Sequence, residues 1–551
     1  AMRTHTEGVA RGYPGWLSQR VVILTAVLVV GLQIGVAERL QAATSEKPQP
    51  GGELTFAVGA EPPSFDGHRE TTFAMIHPVA PHYSLLLKFD ADNYPKIVGD
   101  LAESWTVSRD GLTFTFKIRD GVKFHDGSPL TAKDIKATYD KIIAPPAGVV
   151  SVRKASYAAV DRIEVPDART VIFRLKWPEA SMLANLASPW NFIYKADILA
   201  KDPRWYEKNV MGTGPFKFVE YVSGSHWVGK RHEDYFVKGR PYLDGYRALF
   251  IRDTAARLAA VRGGRALVEF RGDSPAARDD LVRALGDKIV VQETSWICAL
   301  TVILNTEKKP FDDPRVRRAL TLAVDRWEAS RVLSKIAFLK GVGGLLRPGS
   351  EYAMPESDLT KLAGFGKDIE ASRTEARRLL REAGVPDGFK FTFKNRDVAM
   401  PYQSMGIYLI DQWRKVGLNV TQIVQETGPW TADLRAGNFE TNQDFACDFM
   451  DEPDLQLFRY LSSDKSPANV ARYKDPVLDD LNLKQARATD PAERKKLVWA
   501  FERRVLDEMA YQWPTLWWQR IIPHWAKLRG WKITPSHYLN QDLRDVWLAK
   551  D

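Results

Sequence analysis

A chain of 551 residues is too long for one ordinary hydrophobic core and implies roughly two to four domains. Its 44% hydrophobic and 27% charged content excludes a wholly disordered polymer. The formal net charge of +9 arises from basic residues spread along the chain, without a like-charge run or a groove-reading motif, which argues against nucleic-acid binding.

The first pattern along the chain is VVILTAVLVVGLQIGV at residues 21–36, preceded by Arg11 and Arg20. A bilayer span needs about 20 apolar residues. A shorter run with a basic flank reads as a secretory signal peptide covering residues 1–43, with an uncleaved anchor as the alternative. Residues 44–52, TSEKPQPGG, read as a linker.

Residues 104–135 carry the clearest local code. Leu112, Phe114, Phe116 and Ile118 alternate with Thr113, Thr115, Lys117 and Arg119, which predicts a half-buried antiparallel strand. Asp110-Gly111, Asp120-Gly121 and Asp126-Gly127 mark turns. Thr131 with Asp134 predicts a capped helix start, and Ile135, Tyr139 and Ile142 its buried stripe.

Further on, SWICALTVILNT (295–306) is a continuous apolar strand, read as the crossover between two halves. In the segment 310–326, Asp313 and Pro314 suit a helix start. Val316, Ala319, Leu320, Ala323 and Val324 form its apolar stripe, which leaves Arg315, Arg317 and Arg318 to water or a partner. Ala376, Leu379, Leu380 and Ala383 mark a helix closed by Gly384. A strand at 389–393, a helix at 401–416 and a strand at 418–424 predict a right-handed βαβ unit with parallel strands.

Reactive chemistry does not stand out. The sequence contains no phosphate-cradling glycine loop, no GxSxG and no HExxH. His77 and His82 lack a third ligand, so neither a metal nor another cofactor is expected. Cys298 and Cys447 belong to no CxxC pair. Each lies in an apolar run and reads as a small buried hydrophobe, although a disulfide between them stays open. Aromatic residues are abundant, with 17 Trp, 18 Tyr and 25 Phe, and such rings suit a ligand cleft as well as a core.

Six stretches carry a family resemblance: 51–66 (GGELTFAVGAEPPSFD), 101–135, 212–218 (GTGPFKF), 305–326, 375–389 and 473–486. In this order they resemble the family 5 extracellular solute-binding proteins of bacterial ABC importers, the peptide, nickel and opine group. The resemblance implies an α/β, two-lobed periplasmic-binding-protein fold of type II in a three-subdomain variant. Lobe I would comprise 44–86, 206–296 and 520–551, with an inserted subdomain at 87–205. Lobe II would comprise 297–519. The lobes would close by hinge bending on a small peptide, opine or other amino-acid-derived solute. The implied protein is a periplasmic monomer, not an enzyme, that delivers its ligand to an inner-membrane ABC permease. The competing classes are an exported hydrolase and a membrane-tethered ligand sensor.

The resemblance also nominates contacts. Peptide-binding members hold the ligand's amine with an Asp after a strand that here corresponds to GNFETNQDFACDFMDEPD (437–454). Counted without gaps, that position falls on Phe449, with Asp448 one residue early, so Asp448 serves only if a bulge re-aims it. Asp451 is the other candidate, and both also suit a helix-capping role. Trp296 on the crossover strand, Phe73 and Tyr83 on the early loop, and Trp430 after the second βαβ strand complete the set expected to contact ligand.

Overall fold

Residues 104–135 fold as their alternation demands. The computed structural model describes residues 46–550, so the apolar run read as a signal peptide lies outside the described residues. Strand Thr113–Ile118 buries Phe114, Phe116 and Ile118 on one face and leaves its threonines and lysine half-exposed. It sits inside an antiparallel sheet ordered Ala102–Val107, Thr113–Ile118, Thr170–Leu175, Val160–Asp167. Gly111 turns the first pair with φ of 71°, a conformation open to glycine at little cost. The Thr131 hydroxyl accepts from the Lys133 N–H, and the Asp134 carboxylate accepts from the Thr131 N–H at 2.8 Å. Helix Ala132–Ile143 then lays Ile135, Tyr139 and Ile142 on the sheet, closing one hydrophobic core.

A second core forms on a four-stranded sheet ordered Glu53–Val58, Gly245–Phe250, His226–Arg231, Phe216–Val222. Its first pair is parallel and the rest antiparallel. Leu54, Phe56, Trp227 and Tyr246 pack within it. This is the sheet of lobe I.

The sheet of lobe II has six strands, in the order Leu339–Gly341, Gln512–Trp525, Ile289–Leu304, Thr441–Cys447, Lys390–Arg396, Asn419–Gln425. The predicted βαβ unit is present: Lys390–Arg396 and Asn419–Gln425 pair in parallel, joined through helix Ser404–Arg414. That helix starts three residues later than its apolar spacing suggested, because the backbone at Met400 is extended. Leu300, Val302, Leu320, Leu379, Leu409 and Trp413 meet in the lobe II core.

Two sequence expectations need correction. Asp313 does cap helix Pro314–Leu322, accepting from the Arg315 N–H at 2.8 Å. Arg317, however, is buried, donating to the carbonyls of Phe311 at 2.8 Å and Met509 at 2.9 Å, with its guanidinium over the Tyr511 ring. The turn around Met509 offers a carbonyl without a helical donor, and the long arginine stem reaches it while covering apolar surface. The two cysteines, read as separate buried hydrophobes, form a disulfide. The antiparallel register places Cys298 directly opposite Cys447, which sequence separation alone does not reveal.

The lobes are joined by two long strands running side by side. Ile289–Leu304 and Gln512–Trp525 pair from Ile289↔Trp525 to Ile303↔Gln512, with irregularities between Ser295 and Ala299 and between Ala299 and Thr301. Ile522 lies in the lobe I core, whereas Val302 and Trp513 lie in that of lobe II. A ladder that is regular at both ends and broken in the middle is where a two-stranded connection bends most easily.

Candidate functional site

The break in the ladder organises one end of the crevice. Trp296 stands at it, almost fully buried, and its indole N–H donates to His537 Nδ1 at 3.0 Å. The ring packs edge-on against Trp518 at 5.6 Å. A Cβ on Gly272 would come within 3.1 Å of the indole, and Gly272 has φ of 153°, so a side chain there would be strained. His537 gives its carbonyl to His77 Nε2 at 2.7 Å. Burial, reinforced by Arg271, His77 and Arg520, pushes the His537 pKa well below the usual histidine range, so the ring is neutral. Arg520 has no exposed surface and donates to the carbonyls of Phe270, Arg271 and Thr534. Burial lowers its pKa to about 9. The hinge-side floor is therefore a dry, hydrogen-bonded plate.

On the lobe I wall, Phe73 opens helix Phe73–Val79, whose N-cap Thr72 accepts from the Ala74 N–H. The exposed Arg271 guanidinium lies 4.8 Å from the Phe73 ring, a cation–π arrangement. Tyr538 stacks beside His537 at 3.8 Å. Tyr83 is placed differently. It is buried, stacked on Phe192 at 4.6 Å, and lines a small lobe I cavity of about 50 Å³.

On the lobe II wall, strand Thr441–Cys447 keeps regular register with Ile289–Leu304, and the Asp448 N–H extends the ladder to the Ile297 carbonyl. No bulge re-aims this strand, so the condition under which Asp448 would hold a ligand's amine is not met. Alternation therefore puts Asp444, Ala446 and Asp448 on one face. The Asp448 carboxylate receives Arg459 Nη2 at 3.2 Å on both oxygens and is mostly buried. Burial raises its pKa and Arg459 opposes that rise. Neither Asp448 nor Asp451 caps the next helix, because Glu452 does so for Pro453–Leu457. Asp451 instead pairs with Arg347 at 2.8 Å, and its N–H donates to the Tyr94 hydroxyl, also at 2.8 Å. It ties lobe II to Tyr94, ahead of the antiparallel sheet that begins at Ala102. Trp430 is buried, its indole N–H bonded to Asn442 Oδ1 at 2.9 Å, and it lines a lobe II cavity.

Charge acts between the lobes: Asp448 raises the Tyr538 pKa and Arg271 lowers that of Tyr402. Of the residues nominated from sequence, Phe73 and Trp296 both meet the His537 ring and Asp448 is held by Arg459, whereas Tyr83 and Trp430 line other cavities and Asp451 is tied to Arg347. Sequence reasoning missed Arg271, Arg459 and Tyr538. Arg459 lies eleven positions beyond Asp448, too far along any single helix or strand for the two side chains to touch. Among the described residues no group of three or more His, Cys, Asp or Glu side chains is arranged to hold a metal ion.

Two separately cored lobes, a paired-strand connection and a charged, aromatic crevice define a two-lobed solute-binding protein. The model of the bacterial extracellular solute-binding proteins, family 5, matches residues 96–467, and the chain belongs to that family. The glutathione-binding protein GsiB of Pectobacterium atrosepticum is 26% identical over 497 residues, covering 88% of this chain and 92% of its own. The oligopeptide-binding protein AppA of Bacillus subtilis is 27% identical over 569 aligned positions, covering 96% and 99%. The solved structure of DppA from Helicobacter pylori, an ABC transporter-associated periplasmic binding protein in complex with the peptide STSA, has a TM-score of 0.73 at 26% identity and covers 91% of this chain and 99% of its own.

Proposed function

We propose that this chain captures a short peptide or a related amino-acid-derived solute in the crevice between its lobes and presents it to an ABC permease in the inner membrane. It works as an exported monomer without catalysis. The observation that carries this reading is the cluster of Phe73, Arg271, His537 and Tyr538 beside the end of the paired strands, with the exposed Arg271 guanidinium over the Phe73 ring. An exposed guanidinium complements the carboxylate end of a peptide, and rings beside it offer apolar contact at little conformational cost. The printed names of the relatives, glutathione-binding and oligopeptide-binding, support the same chemistry.

The lobe boundaries are placed at 296/297 and 519/520, with the insertion at 87–205. The broken ladder after Ser295 and the separate cores support this division. Ligand that touches both walls favours the closed arrangement by its extra contacts there, which is all that capture requires. Export is supported by the apolar run after Arg20 and by a relative titled periplasmic.

The test is a thermal-shift screen of the purified protein against di- to pentapeptides, γ-linked peptides and amino-acid conjugates. A true ligand at one hundred times its Kd adds about 2.7 kcal/mol of stability and is recovered unchanged by mass spectrometry. Consumption of the compound, or no stabilisation by any member of the library, would reject the reading.

A further inference from the structure

Lobe II meets the rest of the molecule at a second place besides the paired strands. Beyond strand Thr441–Cys447 the chain sends Met450, fully buried, into the core of the sheet that begins at Ala102, and Phe449 and Leu455 pack against that core. The next residue, Asp451, donates its N–H to the Tyr94 hydroxyl at 2.8 Å. Its carboxylate accepts from Arg347 Nε at 3.0 Å and Nη2 at 2.8 Å. Arg347 Nη1 donates to Ser295 Oγ at 2.6 Å, and Ser295 forms the last regular pair before the ladder breaks. One guanidinium thus touches both the bend of the connection and the residue that reaches across to Tyr94.

Tyr94 and Arg347 ride on different bodies. Tyr94 stands in the hairpin of strands Leu87–Phe89 and Ile97–Gly99, its ring 5.4 Å from that of Phe89. The hairpin is fastened to the C-terminal segment, where Lys88 pairs with Asp542 and Lys532 donates to the Asp92 carbonyl at 2.8 Å. Trp531 and Leu543 of that segment lie in the lobe I core. The loop of Arg347 is fastened to lobe II. The Leu345 N–H donates to Glu502 at 2.6 Å, and the Trp517 indole donates to the Gly344 carbonyl at 3.0 Å.

The contact between these bodies is built to part. A cavity of about 150 Å³ remains between the two faces, with Phe89, Ile97 and Leu183 on one side and Tyr352 and Gln456 on the other. Interiors that stay shut pack with few voids of that size. The Tyr94–Asp451 bond exchanges for bonds to water when the faces separate, so its net worth is small, whereas Met450 gains by leaving water. Every partner in these contacts belongs to the chain itself. They act before a solute arrives, and a solute then adds its own contacts.

We propose that Tyr94, Met450 and the Arg347–Asp451 pair form a clasp that holds part of the solute-free population shut, which makes Tyr94 and Arg347 positioning residues for capture. Asp451, nominated from sequence as a ligand contact, serves the closing motion instead. The affinity of any solute held by the closed form scales with the closed fraction, so loosening the clasp weakens all such solutes by one common factor. The clasp rests on the reading of capture as closure of the lobes. Its test needs no solute, so its failure would leave the peptide reading untouched.

The experiment is small-angle scattering, with hydrogen–deuterium exchange read at the Asp451 amide, on purified protein dialysed until mass spectrometry finds no bound solute. Tyr94→Phe deletes one oxygen and keeps the ring on Phe89, and Met450→Ala empties the apolar contact. The double variant is expected to show a larger radius of gyration than the parent, its closed-to-open ratio lowered about tenfold or more. In Tyr94→Phe alone the Asp451 amide is expected to exchange about twofold or more faster. Circular dichroism melts establish that the variants fold, and should the double variant fail to fold, Tyr94→Phe carries the scattering comparison as well. A folded variant that scatters as the parent does, or an Asp451 amide that exchanges at the parent rate in Tyr94→Phe, overturns the clasp.

Discussion

Asp448 and Arg459 show how much one pair decides. Replacing Arg459 with Met leaves a mostly buried carboxylate facing apolar surroundings, and a loss of about 2 kcal/mol is expected in urea melts at pH 7. The double variant Asp448→Asn with Arg459→Met removes both charges and is expected to recover much of that loss. Asp444 supplies a pH signature. Burial raises its pKa to about 6, with the Phe445 N–H, Arg459 and Arg396 opposing the rise. A carboxyl whose folded pKa lies above its unfolded value is relatively favoured in the fold when protonated. The part of the stability linked to Asp444 is thus fully present below about pH 4 and lost as the pH rises through 6. Trp296 belongs to the same scale. Its ring is enclosed by Trp518, Phe338 and His537, so Trp296→Ala is expected to cost about 3–5 kcal/mol of stability as well as any affinity. Trp296→Phe, which deletes chiefly the bond to His537, is the cleaner probe of ligand contact.

At the scale of elements, two joints carry most of the consequence. The Cys298–Cys447 bond staples the hinge-side strand to the strand that leads into Asp448, across a separation of 149 residues. Closing so long a loop in the unfolded chain corresponds to about 3–5 kcal/mol in the chain-entropy view, so the Cys298→Ala, Cys447→Ala double variant is expected to unfold at clearly lower denaturant. The second joint lies between the inserted subdomain and lobe II, where the Ala180 N–H donates to the Ala486 carbonyl at 2.8 Å. There burial and the neighbouring Asp454 push the Glu179 pKa up to about 8, while Ser181 donates to Glu179 at 3.0 Å and Arg494 lies 3.7 Å from Asp454. The raised value means that the joint is most stable with Glu179 protonated and weakens as the pH rises through about 8. Glu179→Gln imitates the protonated form. It is expected to melt above the parent protein at pH 8, by about 1 kcal/mol after allowance for solvent screening, with the difference closing by pH 5.

For the molecule as a whole, the paired strands Ile289–Leu304 and Gln512–Trp525 are the mechanical centre. Each lobe has its own core, so the lobes can move as bodies while the irregular stretch after Ser295 absorbs the change. Ligand capture is then a shift in population between arrangements, limited by the extra contacts made in the closed one. Small-angle scattering is expected to show a smaller radius of gyration on addition of a ligand found by the thermal screen. A ligand that binds at full occupancy without changing the scattering curve would show that capture proceeds without closure.

Much of the architecture was legible in local pattern. The two-residue alternation of 112–118, the Thr131–Asp134 cap, the Asp313–Pro314 helix start and the βαβ run at 389–424 all depend on interactions within a few positions of each residue, which a sequence displays directly. Composition and the family motifs extended this to a two-lobed binding protein. Burial of Arg317, the Cys298–Cys447 bond, the consumption of Asp451 by Arg347 and the meeting of Asp448 with Arg459 were decided only by tertiary structure. Each depends on partners brought together by strand register or by packing between segments, and neither the distance nor the direction of such a meeting is written in the spacing of residues along the chain.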